Sequence, residues 1–133
     1  MAKFLSFSFL TICILLLVKG NLSTPIIQSI PGGINRIDVY QSDILKYIDL
    51  ARKEYSQTME KTYEPVIIEV RKATTQVVRG IIYRIDLTFA ASVCKTGIKN
   101  CPASFEGKVD KCTFEVWSQP WIDNGSPKYK LIC

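Results

Sequence analysis

The sequence predicts an α+β fold in which an antiparallel sheet wraps across a single helix. Three observations carry this. One stretch has apolar residues at helical spacing, and every later apolar stretch alternates with period two. The helical stretch comes first and the alternating stretches follow it in a run. Period-two alternation gives each strand one buried and one wet face, the pattern of an antiparallel sheet. A helix followed by a run of strands, rather than alternating with them, places the chain in the α+β class. The apolar stripe of the helix and the apolar face of the sheet then cover each other.

In chain order, residues 1–20 are read as a secretory signal peptide. Lys3 supplies the positive start, Phe4 to Val18 is a nearly unbroken apolar run, and Val18-Lys19-Gly20 resembles a cleavage site. The alternative is a membrane anchor, but the run falls short of the ~20 apolar residues that a spanning helix needs. Residues 21–133 are expected to form one secreted, extracellular domain with no membrane association after cleavage. Such a domain buries roughly 65% of its unfolded surface, enough for one modest core.

Residues 21–35 contain Pro25, Pro31 and Gly32-Gly33 and predict an irregular or extended arm, with room for a short strand. A helix is predicted over 38–57. Asp38 and Gln41 have the spacing of a capping box, and Ile44, Ile48, Ala51 and Tyr55 form one stripe. Strands follow. In the first, Val66, Ile68 and Val70 are assigned to the buried face. In the second it is Tyr83, Ile85, Leu87 and Phe89, and in the third Cys112, Phe114 and Val116. Tyr129, Leu131 and Cys133 make a last short strand. Gln76-Val77-Val78-Arg79-Gly80 joins the first two strands directly. Residues 90–108 read as a long excursion, and 118–127 as a second tip.

Charge and cysteine content exclude several functions. Without the signal peptide, Lys+Arg falls from 17 to 15 against 12 acidic residues. This small, scattered excess does not point to nucleic acid. The chain has no histidine, so Ser-His-Asp and Cys-His catalysis are excluded and the commonest neutral metal ligand is missing. An enzyme is therefore disfavoured, and neither a metal nor another cofactor is expected. Cys94, Cys101, Cys112 and Cys133 remain after Cys13 leaves with the signal. Two disulfides suit an oxidising compartment. Three pairings are open, and sequence proximity favours Cys94–Cys101 with Cys112–Cys133. The chain-entropy relation assigns them about 2.5 and about 3.4 kcal/mol. A four-cysteine zinc site is the rival, but the mature chain has no C-x-x-C knuckle.

Three features place apolar groups where water is expected: the arm with Ile30-Pro31-Gly32, the turn with Val77 and Val78, and the second tip with Pro120-Trp121. Each has a plain alternative. The arm can be a loose tail, a single exposed valine is ordinary, and Trp121 can fold back on the sheet. A meander, however, brings alternate loops to one end of its sheet, and the arm reaches that end as well. Together the three would make an apolar wedge suited to a cleft, each buried large side chain contributing roughly 1.5–3 kcal/mol before association costs.

At this point the chain resembles a secreted cystatin, an inhibitor of papain-like cysteine proteases. The motifs that carry the resemblance are Gly32 in the arm, Gln76-Val77-Val78-Arg79-Gly80 as Q-x-V-x-G, and Pro120-Trp121 as P-W. They occur in order, with an intervening helix and four cysteines in the C-terminal half. The resemblance implies a cystatin-like fold, a five-stranded antiparallel sheet around one long helix, with the neighbour disulfide pairing. It also implies reversible, non-covalent, competitive inhibition of cathepsin-type proteases. Ile30, Pro31 and Gly32 would lie in the non-primed subsites. Gln76, Val77, Val78, Arg79 and Gly80 would sit over the catalytic cysteine, and Pro120 and Trp121 would pack on the primed side. The asparagine that serves legumain inhibition in some relatives is replaced by Glu60, so strong legumain inhibition is not expected. Asn124-Gly125-Ser126 and Asn21-Leu22-Ser23 are glycosylation sequons. The rival reading is a cystatin-fold interaction or immune-modulating protein with weak or no protease inhibition. A monomer is expected, with hairpin exchange between two copies as the route to a dimer.

Overall fold

The computed structural model describes residues 31–58, 62–104 and 106–133. Residues 1–20, expected to be a signal peptide, and Asn21, Ile30 and Glu60 lie outside them. Five strands form one antiparallel sheet in sequence order: β1 Ile34–Arg36, β2 Tyr63–Val77, β3 Ile81–Lys95, β4 Val109–Ser118 and β5 Lys128–Ile132. Helix α1, Ser42–Thr58, packs across the sheet, and a single helical turn, α2 Pro120–Asp123, lies between β4 and β5. The short strand admitted in the arm is β1, which pairs with the end of β2 (Ile34 with Gln76, Arg36 with Thr74).

The core forms where the helical stripe meets the sheet. Ile44, Ala51 and Tyr55 are buried, and Ile48 packs beside them. Opposite them lie Ile85, Leu87 and Phe89 of β3 and Cys112, Phe114 and Val116 of β4, all buried as the alternation predicts. Tyr55 stacks on Phe89 with ring centroids 4.1 Å apart and planes 1° from parallel. Its hydroxyl donates to Asp110, which fixes the last turns of α1 to the start of β4. Burial and this acidic partner hold the Tyr55 phenol far above its ordinary pKa. The disulfides are Cys94–Cys101 and Cys112–Cys133, as sequence proximity suggests. No helix among the described residues is long and apolar enough to cross a membrane.

Four local expectations are corrected. Helix α1 begins at Ser42 rather than Asp38. The Asp38 carboxylate accepts from the Tyr40 amide at 2.9 Å, closing a side-chain turn ahead of the helix instead of a capping box. On β2 the inward face is Pro65, Ile67, Val70 and Ala73; of the expected Val66, Ile68 and Val70 only Val70 packs against the core, and Ile68 is 47% exposed. Two register shifts explain this. Ile67 pairs with Phe89 but Glu69 with Thr88, and Val70 pairs with Leu87 but Lys72 with Asp86. Ile68 and Arg71 are thus the extra residues of two β-bulges, and each bulge reverses the alternation. Strand β3 runs on to Lys95, so Cys94 lies on the strand and the excursion is shorter than 90–108. Its return leg folds back on β3 through Val93–Pro102 and Ser104–Ala91 backbone hydrogen bonds of 3.2 and 2.8 Å. Finally, the second tip contains the turn of helix α2, which Pro120 starts and Asn124, at φ 45, ends.

Candidate functional site

The first hairpin turns within three residues. Val77 pairs with Ile81, and the Val78 amide donates to the Gly80 carbonyl at 2.9 Å. So short a link forces unusual backbone at its two inner positions: Arg79 has φ 43 and Gly80 has φ 120. Gly80 is required for a second reason, because it is buried against the second hairpin. A Cβ there would fall on the Ser118 carbonyl oxygen, and it would stand 2.9 Å from Gln119 Cγ and 3.2 Å from Trp117 Nε1. The two valines have no such cover; Val77 is 62% and Val78 42% exposed.

The pairing of β3 with β4 places the second tip beside the first, since Ile81 lies opposite Ser118. Gln119 then bridges the two tips. Its Nε2 donates to the Arg79 carbonyl at 2.8 Å, and its own carbonyl accepts from the Ile122 amide at 2.8 Å, opening α2. Trp121, carried on that turn, does not fold back onto the sheet: it is 65% exposed beside an exposed Ile122. Pro120, Arg79, Pro31 and Gly32 are also exposed.

The arm is tied to the same end by a chain of polar contacts across the sheet. Gln76 Nε2 donates to the Gly32 carbonyl at 3.2 Å, and Arg84 Nη1 donates to Gln76 Oε1 at 3.1 Å. Arg84 Nε also binds Glu115 at 2.7 Å, and Lys130 lies 3.1 Å from the other Glu115 oxygen. Burial alone would raise the Glu115 carboxyl, but its hydrogen bonds with Lys130 and Arg84 outweigh that effect and hold it below the ordinary carboxylate range. Gln76, of which the sequence shows only membership in a motif, therefore adds a side-chain link between arm and hairpin to the β1–β2 pairing. Gly32 has φ 74, with open space where a Cβ would stand, so its role is conformational rather than steric.

The described residues expected to contact a protease thus lie at one end of the sheet, where the meander argument expects them. Ile122, exposed beside Trp121, extends the same apolar edge, and Ile34 is exposed opposite Gln76; the sequence reading singles out neither. Pro120 at the start and Asn124-Gly125 at the end are helix-boundary signals that would have exposed the turn carrying Ile122. Arg84 and Gln119 had no sequence signal, because their roles depend on strand pairing. Among the described residues no acidic or cysteine cluster is placed to hold a metal ion, and all four cysteines are in disulfides.

The cystatin-domain family model matches residues 32–121, a span that runs from the arm glycine to Trp121. The chain is similar to cystatin-1 of Chilobrachys guangxiensis, with 31% identity over 108 residues, 77% of this chain and 80% of that protein. It is similar to rabbit (Oryctolagus cuniculus) cystatin-C at 26% identity, covering 69% of this chain and 66% of the relative. Among solved structures it resembles Al-CPI, with a TM-score of 0.67 and 25% identity over 75% of this chain and 94% of that one. It also resembles the salivary cystatin of the soft tick Ornithodoros moubata, with a TM-score of 0.54 and 26% identity over 78% of this chain and all of that one.

Proposed function

Because the chain belongs to the cystatin family, we propose that it is a reversible, non-covalent, competitive inhibitor of papain-like, cathepsin-type cysteine proteases. Family membership supports cysteine protease inhibition in general. The observation that carries the finer reading is the side-by-side exposure of Val77, Val78, Trp121 and Ile122 on tips fixed by Gly80 and Gln119. A narrow apolar ridge desolvates well only in a concave partner, and its rigidity lowers the ordering cost of binding. Val77 and Val78 would occupy the cleft over the catalytic cysteine, and Trp121 would pack on the primed side. Pro31 and Gly32, continuing to Ile30, would enter the non-primed side. The Arg79 cation at the tip would favour clefts with an acidic rim.

The inhibitor would act outside the cell as a monomer after cleavage at Gly20. Asn124 stands exposed three residues beyond Trp121, so a glycan there would crowd the edge. Glycosidase treatment with mass spectrometry of secreted protein tests that sequon and Asn21 together. With Glu60 at the asparagine position, legumain would be inhibited weakly or not at all. The deciding experiment is titration of active-site-counted papain with purified protein. Competitive, dilution-reversible inhibition is expected, and no inhibition at micromolar concentration would sink the proposal.

A further inference from the structure

One side chain that the sequence does not single out holds the seam between the two tips. Gln119 is only 9% exposed, although it sits in a tip between β4 and α2. Its side-chain amide donates to the first tip at Arg79, while its carbonyl starts the helical turn that carries Trp121 in the second. The carbonyl it grips belongs to a non-glycine residue at φ 43. A residue bearing a side chain keeps that conformation only when its surroundings hold it there. Gly80 leaves room for this grip, since a Cβ there would stand only 2.9 Å from Gln119 Cγ. We infer that Gln119 is a positioning residue for the binding edge: its amide fixes the Arg79–Gly80 peptide and so sets the offset between Val77-Val78 and Trp121-Ile122. It acts through those residues and need not touch the protease. The inference rests on the inhibitor reading above.

The test uses the full mature protein against papain, with thermal melts to establish that each variant is folded. Gln119→Leu keeps the bulk and removes the donor. Its Ki should rise about 3- to 10-fold, the scale of one buried neutral hydrogen bond. Combined with Trp121→Ala, the loss should be smaller than the product of the two single losses, because orienting an absent indole gains nothing. Gln119→Glu supplies the discriminating readout. Near pH ~7 its carboxylate cannot donate to Arg79 and repels the carbonyl, whereas near pH ~4 the protonated acid donates again. The ratio of its Ki to that of the unaltered protein should therefore fall toward one on acidification. A residue needed only for folding would produce neither the coupling nor the acid recovery. Gln119→Leu and Gln119→Glu within twofold of the unaltered protein, or a Gln119→Glu penalty equal at both pH values, would overturn the inference. If the unaltered protein fails to inhibit papain, the inhibitor reading fails and this falls with it. If that protein inhibits and Trp121→Ala weakens it while the Gln119 variants do not, only this inference fails.

Discussion

Replacing Gly80 with alanine perturbs the seam at its tightest point, and the structure sets the size of the effect. The φ of 120 at this position is strained for any residue with a side chain, at about 1–3 kcal/mol. The added methyl would also overlap the Ser118 carbonyl and approach Gln119 Cγ to 2.9 Å. Accommodating it in place adds roughly 1–3 kcal/mol of overpacking. If the tips part instead, the loss is the Gln119–Arg79 hydrogen bond, about 1 kcal/mol. Parting is cheaper than compressing a backbone carbonyl, so the core should survive while the ridge splits. We expect Gly80→Ala to lose roughly 2–4 kcal/mol, summing strain and seam, in urea unfolding. Its papain Ki should rise more than about tenfold at a temperature where the variant is fully folded. An alanine variant with an unchanged urea midpoint and unchanged Ki would refute the reasoning. It would mean either that the close approach to Ser118 is absent in solution or that the tips do not act as one edge.

Other perturbations separate binding from folding. Trp121→Ala should raise the papain Ki by about 10- to 150-fold, the equivalent of 1.5–3 kcal/mol of apolar burial. Its melting temperature should hardly move, because Trp121 is exposed in the free protein; a large drop in that temperature would contradict this. Glu115→Gln should remove a pH-dependent contribution to stability. The folded-state pKa of Glu115 is lowered, so its contribution is complete above the unfolded glutamate value of ~4.3 and is lost as pH falls through the folded pKa. Urea midpoints of the two proteins should differ near neutrality and converge under acid, and a constant difference would be inconsistent with the Arg84–Glu115–Lys130 geometry. Deleting Cys112–Cys133 by paired alanines should cost more than deleting Cys94–Cys101, about 3.4 against about 2.5 kcal/mol from loop closure. Cys112 is also buried in the core, which widens the gap; the reverse order in denaturant melts would count against both arguments.

What was legible in the sequence depended on whether a residue's role is local. The stripe of α1 and the alternation of β3 and β4 were readable because period and burial coincide there without interruption. Strand β2 was misread because bulges at Ile68 and Arg71 each insert one residue, and a period-two pattern has no way to announce an insertion. Asp38 and Gln41 fit a capping box by spacing, yet the Asp38 carboxylate found a nearer amide on Tyr40. At the site, Val77, Val78 and Trp121 stood out because exposed apolar residues are conspicuous among turn residues. Arg84 and Gln119 did not, because a polar side chain gives no sign of the partner it will meet 8 or 40 residues away.

The three-residue turn between β2 and β3 has one further consequence, for how such an edge can diversify. The turn is bounded on one side by the Val77–Ile81 pair and on the other by Gly80 lying against Ser118. An inserted residue would lift the tip off its neighbour, and a deleted one would break the strand pairing. The ridge is therefore free in composition and fixed in length. New targets are reachable by exchanging Val77, Val78, Arg79, Trp121 or Ile122, whereas the loop enlargements by which many binding surfaces change partners are closed to it.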